Sequence, residues 1–350
     1  MFIKSTKKKS ETKSSPVTMR DVADRAGVSQ STVSRVLNQA TAQIPISEET
    51  RQKVMEAVEQ LGYYPNMTAR SLRTQRTHLI AIMVADISNA FYYSIARAVQ
   101  DFFAPHHYDV LIANSDHIYA NEKRFCQAML RRPVDGIIMV PYYLQTEEMV
   151  EIEERTGASI AVLGQHISSA HFDTVWCDDV KATYDTTRWL IELKGYPSVG
   201  YFRAPLSLPT ARRRFDAYLS AMHDLGMTVE PGWVQEGAFT MEGGQSAMRD
   251  LLQSNNLPHA IMVCNDLMAI GATNVALDAN CRIPEDIAIV GFDDISLASL
   301  IRPPLTTIAQ PPTMMGNRLA QMLFERIEGL ETGPARHIQL PLSLIERKSA

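Results

Sequence analysis

Between positions 19 and 61 apolar residues recur at helical spacing in three short bursts: Val22, Ala23 and Ala26, then Val33, Val36 and Leu37, then Val54, Val58 and Leu61. The pattern predicts helices over 19–26, 30–37 and 48–61. Thr18 with Asp21 three residues on suits a capping box, Gly27 supplies the positive φ of a sharp turn, and Ser29 caps the second helix. Ser47 caps the third, and Gly62 ends it. Pro65 blocks continuation, and Asn66 can cap a further segment over 67–73 that is too short to be helical alone.

From Leu79 onward the pattern changes. Short apolar runs at 79–85, 108–113, 134–140, 159–164 and 174–177, then at 198–202, 260–264, 287–292 and 306–310, read as strands. Helical periodicity lies between them, as at 92–103, 182–193, 211–225, 241–253 and 314–327. The alternation predicts an α/β body with parallel sheets covered by helices. Two groups of strands imply two subdomains facing a cleft, with ligand bound beyond the carboxyl ends of the strands.

Composition fits that division. The 350 residues, 45% of them hydrophobic, are enough for a small headpiece and a larger body. Up to Arg76 there are 13 Lys and Arg against 7 Asp and Glu, and beyond it 21 against 32. A positive headpiece on a negative body confines attraction for phosphates to one end. Residues 1–16, with Lys4, Lys7, Lys8, Lys9 and Lys13, read as a disordered basic arm. Lys7 to Glu11 stand where a secretory signal needs an apolar run, and no stretch approaches the ~18 apolar residues of a membrane span, so a cytoplasmic protein with no membrane partner is expected. Four cysteines without metal or redox spacing suggest reduced, mostly buried thiols. GxSxG, GxxxxGK[ST] and HExxH are all absent and the histidines lack metal spacing, so no catalytic residues, metal or cofactor are expected.

The second short helix carries the chemistry. Gln30, Ser31, Ser34 and Arg35 would face outward, and these are types that read base edges or phosphates in the major groove. An ordinary helical hairpin with a polar face could look alike, so its context matters. The stretches VTMRDVADRAGVSQSTVSRVLNQ and LGYYPNMTARSL resemble the headpiece and hinge of the lactose/galactose repressor (LacI/GalR) family of bacterial transcription regulators. The resemblance implies major-groove contacts from Ser29, Gln30, Ser31 and Arg35 and a backbone contact from Asn38. It also implies a Leu72 wedge in the minor groove beside the small Ala69. The candidate DNA-contacting set is Thr18, Ser29, Gln30, Ser31, Thr32, Ser34, Arg35, Asn38, Tyr63, Asn66, Ala69 and Leu72.

The resemblance continues through the body, in DISNAFYYSI, LPTARRRFDAYLSAM, CNDLMAIGA and VGFDDISLASLIRPPLTTIAQ. It implies a periplasmic-binding-protein-like fold and a small carbohydrate effector. Asp86, Asn265 and Asp293 suit hydrogen bonding to adjacent hydroxyls, Arg214 offers a fork of donors, and Phe91 and Phe239 offer faces for a sugar ring. Gln310, near the last crossover, completes the effector set, while Asp266 is expected to cap its helix. Departures from the family pattern at Gly164-Gln165-His166, Asp178-Asp179, Arg212-Arg213-Arg214 and Ala217 leave the sugar type open, and an anionic effector with it.

The expected organisation is an arm at 1–16, a helix-turn-helix headpiece at 17–62, a hinge helix within 63–77 and a two-subdomain body at 78–350. One headpiece reads a half-site, so a homodimer on a pseudo-palindromic double-stranded operator is expected. No leucine heptad follows Pro341, which argues against a coiled-coil tetramer. Effector closing the cleft would change the hinge and relieve repression, with co-repression left open as the opposite sign. A free-standing solute-binding or enzymatic α/β protein is the competing class.

Overall fold

The computed structural model describes residues 17–37, 46–64, 76–165, 167, 170–254 and 256–350. The basic arm, Asn38, His166 and the hinge segment with Asn66, Ala69 and Leu72 lie outside the described residues. The chain divides between Thr77 and His78 into two compact units.

The first unit holds α1 (Met19–Ala26), α2 (Gln30–Leu37) and α3 (Glu48–Leu61). The capping box is formed: the Thr18 amide donates to Asp21 Oδ2 at 2.7 Å and the Asp21 amide to Thr18 Oγ1 at 3.4 Å. Gly27 adopts φ 67°, which turns the chain sharply into α2. Val22, Ala23, Val33, Val36, Val54 and Ala57 close one small apolar core. Arg25 fastens the first helix to the third through Gln60, at 2.7 and 3.1 Å.

The second unit begins with β1 (Leu79–Val84), α4 (Ala90–Phe103), β2 (Asp109–Asn114), α5 (Tyr119–Arg131), β3 (Gly136–Met139), α6 (Thr146–Thr156), β4 (Ser159–Leu163) and β5 (Asp173–Cys177). The chain then crosses to a second layer. This contains α7 (Asp179–Arg188), β6 (Val199–Arg203), α8 (Pro209–Asp224), β7 (Val234–Glu236), α9 (Met241–Leu252), β8 (Ala260–Val263), α10 (Asp266–Asp278), β9 (Ala288–Asp293) and β10 (Thr306–Ala309). It returns as α11 (Pro312–Ile327) and β11 (His337–Leu340) and crosses once more into β12 (Ser343–Ile345). Two six-stranded sheets result, in the orders β11-β5-β4-β3-β1-β2 and β12-β10-β9-β8-β6-β7. All pairings are parallel except β10 with β12.

Every strand expected from the apolar runs is present. The short strands β7, β11 and β12 were not foreseen, because three or four residues on a sheet edge leave little apolar signal. The helix expected at 182–193 is instead α7 followed by a π-helical turn, Trp189–Leu193.

Two devices hold the layers. The Asp173 carboxylate, all but buried, takes paired hydrogen bonds from Arg326 at 2.9 and 3.1 Å and from Arg336 at 2.7 and 3.3 Å. Burial alone would raise its pKa, but the two guanidiniums outweigh that and hold it at about 2. The returning strand β11 is thereby locked beside β5. In the other layer α9 and α10 approach so closely that a Cβ on Gly271 would lie 2.0 Å from the Met241 carbonyl oxygen.

Candidate DNA-reading face and effector cleft

In the headpiece Ser29, Gln30 and Ser31 are exposed at the start of α2. Ser29 caps the helix, accepting from the Thr32 amide at 3.2 Å, and its hydroxyl also meets those of Ser31 and Thr32 at 2.7 and 2.9 Å. Thr18 is exposed but bound to Asp21 through both amide and hydroxyl. Two expectations need correction. Ser34 and Arg35 are half-buried rather than fully outward, and Arg35 Nε is buried without a hydrogen-bond partner among the described residues. Such a donor is costly to leave unmet, which favours swinging the guanidinium out towards a phosphate or base. Tyr63 is turned into the headpiece core at 7% exposure, whereas its neighbour Tyr64 is 87% exposed.

The body's cleft gathers residues from many strand ends. Asp86, Phe91, Arg214, Phe239, Asn265, Asp293 and Gln310 all line one chamber, of about 480 Å³ including the space at its mouth. A second chamber of about 570 Å³ shares Phe91, Tyr92, Tyr142, Thr210, Arg214 and Gln310 with it and runs on to Leu163, Trp176, Asp179 and Met315.

Arg214 is the most constrained member. It is 5% exposed, donates from a terminal nitrogen to the Cys264 carbonyl at 2.6 Å, and lies 3.5 Å from the Phe292 ring centroid. Asp179 approaches its Nε at 3.5 Å, and that Nε has no hydrogen-bond partner among the described residues. Asp293 ends β9 with φ 123° and accepts from Gln310 Nε2 at 2.7 Å. Burial pushes its carboxyl up to about 6, opposed by Arg214 and the Gln310 hydrogen bond.

Asn265 caps α10, accepting from the Met268 amide at 3.0 Å while its amide donates to the Phe239 carbonyl at 3.0 Å. Asp266 does not cap that helix as expected. It is fully buried in the first turn, accepting from Thr307 Oγ1 at 2.6 Å and the Ile295 amide at 2.9 Å, and its pKa is raised, chiefly by burial and then by Asp293. Asp86 Oδ1 accepts from the Ser88 amide and hydroxyl, so one oxygen is engaged in its own turn.

Sequence reasoning missed several residues that complete the chamber walls. Tyr92 and Tyr142 join hydroxyl to hydroxyl at 2.5 Å, bridging α4 and the segment after β3. Glu122 fixes that segment by accepting from the amides of Tyr142, Tyr143 and Leu144. His117 stacks on Phe239 with ring centroids 5.5 Å apart, and burial lowers its pKa, which keeps it neutral. Tyr142 and His117 follow the ends of β3 and β2, so the strand-end rule, applied to every strand, would have found them.

Comparison with known proteins places both units. Residues 18–66 match the model of the bacterial regulatory proteins of the lacI family, and residues 190–350 the periplasmic binding protein-like domain. The transcriptional repressor PurR of Pasteurella multocida (strain Pm70) is 31% identical over 332 residues, covering 95% of this chain and 98% of that protein. The chain belongs to the LacI family. Among solved relatives, the Lac repressor bound to ONPG in its repressed state is 28% identical with TM-score 0.82, covering 96% of this chain and 100% of that one. The regulator CelR in complex with cellobiose is 27% identical with TM-score 0.69, covering 95% and 100%.

This LacI-family protein is therefore a helix-turn-helix transcription regulator with an effector-binding body, and its relatives PurR and CytR are repressors. Among the described residues no helix is long and apolar enough to cross a membrane, and no cluster of His, Cys, Asp and Glu could hold a metal ion.

Proposed function

We propose that the chain is a homodimeric repressor of a pseudo-palindromic operator, released by an uncharged, polyhydroxylated small molecule, a sugar, bound in the body's cleft. The observation that carries this reading is the convergence of seven residues chosen from the sequence on one chamber. Strand-end carboxylates and amides there stand beside the faces of Phe91, Tyr92, Tyr142 and Phe239, the combination that binds a ring with hydroxyls on its edge and C–H groups on its face. The solved relative CelR holds cellobiose, which favours the same class of ligand here.

Base reading is assigned to Gln30, Ser31 and Arg35, supported by Ser29 and by Asn38 beyond the described residues. Dimerisation is assigned to apolar side chains left at the surface of the body. Leu111 and Ile112 on the edge strand β2 are 41% and 49% exposed, with Tyr93 and Ile118 also open, and Leu277, Leu297 and Leu300 are exposed in the second layer. The thiols lining or adjoining the cleft, Cys177 and Cys264, are pushed up to about 12 by burial, which makes them poor nucleophiles and leaves them as packing groups of the cleft wall.

Selection of bound oligonucleotides from a random pool, followed by fluorescence anisotropy of the chosen duplex against a panel of neutral sugars, tests the reading. A symmetric site released by one of the sugars is expected. An asymmetric half-site, or no sugar with any effect, would refute it.

A further inference from the structure

Three adjacent arginines at 212–214 suggest, from sequence, a cleft made for an anion. The structure distributes them differently. Arg212 is exposed and donates to the Leu206 carbonyl at 3.1 Å, and it lines neither chamber. Arg213 forks onto the Asp179 carboxylate, Nε at 3.2 Å and a terminal nitrogen at 3.0 Å. Arg214 reaches the same carboxylate at 3.5 Å and gives a terminal nitrogen to Cys264. Asp179 itself is 4% exposed, in the first turn of α7, and it lines the larger chamber with both arginines.

Resting on the reading of this cleft as the effector site, we infer that Asp179 is a specificity-determining residue that makes the cleft refuse anionic effectors and accept uncharged ones. Its two oxygens occupy the parallel N–H pair that an incoming carboxylate or phosphate would need. An anion must either displace a buried carboxylate from its partner or lie within a few ångströms of it in a poorly screened site, and each alternative is unfavourable. A hydroxyl faces neither penalty. It can donate to Asp179 or accept from a remaining arginine hydrogen without parting the pair.

The balance of charge around the cleft points the same way. The charged side chains lining the two chambers are Arg213 and Arg214 against Asp179, Asp293 and Asp86, and burial lowers the pKa of His117 beside them. With Asp179 in place no surplus positive charge is left for an anion. Without it, two guanidiniums lose their shared partner.

The test is calorimetric titration of the full-length protein with inorganic phosphate and, separately, with glucose 6-phosphate. The wild-type chain should bind neither measurably, whereas Asp179→Asn, which keeps the shape and an acceptor for Arg213, should tighten phosphate binding by roughly tenfold or more. Adding Arg213→Gln to that variant should abolish the gain. Equal phosphate binding by wild type and Asp179→Asn would overturn the inference. Should that variant lose its folded transition, Asp179→Ser takes its place with the same two outcomes, and phosphate binding by the wild type that disappears in Arg213→Gln alone would refute exclusion by Asp179. The neutral-sugar panel is a separate arm, so a failure there removes the sugar reading while leaving the phosphate result to judge Asp179.

Discussion

Replacing Asp293 by Asn should stabilise the body at neutral pH, by an amount that depends on pH in a defined direction. Asp293 is 6% exposed, and its folded-state pKa of about 6 stands above the ordinary 3.8. Because the folded state binds the proton more tightly than the unfolded one, the stabilising contribution of Asp293 is complete below pH 3.8 and is lost as pH rises through about 6. The gap of ~2 units corresponds to ~3 kcal/mol forfeited at pH 7.5 and above, with neighbouring Asp266 sharing part of it through repulsion between the two carboxyls. Asn retains the acceptor for Gln310 and tolerates the positive φ at this position. Urea unfolding of wild type and Asp293→Asn between pH 4 and pH 8 should show nearly equal stability at the acid end and a growing advantage for the variant above pH 6. A difference independent of pH, or a variant weaker throughout, would show that the Asp293 carboxylate is compensated at neutral pH and that burial does not dominate its ionisation.

Gln30→Ala or Arg35→Ala should cost ~1–3 kcal/mol of operator binding and relax preference at one base pair, read by binding to a set of single-base operator variants. Equal losses on operator and random duplex would reduce the residue to a phosphate contact. Arg214→Ala should abolish the response to effector in the anisotropy assay while leaving basal operator binding intact, and unaltered ligand affinity by calorimetry would refute its place in the cleft. Gly271→Ala should destabilise the body by ~2 kcal/mol or more, seen as a lower denaturant midpoint, because the added methyl meets backbone that has little room to give. A midpoint within error of wild type would mean that α9 and α10 separate freely.

The alternation of apolar runs and helical periodicity made the two sheets legible, since buried parallel strands such as Ile80 to Val84 are apolar throughout. The headpiece was equally open to reading, because caps and glycines mark its ends within a few residues. The ionic wiring was not. That Asp266 would bind Thr307 rather than cap α10, or that Asp179 would claim two of three consecutive arginines, depends on approaches between residues tens of positions apart, which periodicity does not encode. Tyr63 escaped for a related reason. In Tyr63-Tyr64 the side chains are identical, and only the path of the chain after Gly62 decides which enters the core.

The late arrival of β11 has a consequence for synthesis. The first sheet is begun by residues 79–84, yet its edge beside β5 is completed only by residues 337–340, and the buried Asp173 must wait for Arg326 and Arg336 to emerge from the ribosome. Nearly the whole polypeptide is thus made before either lobe can close, leaving a nascent chain with an open sheet margin and an uncompensated acid. Premature termination anywhere after β5 would strand both lobes at once, so messages broken late in the gene should yield chaperone clients rather than a half-repressor able to hold an effector.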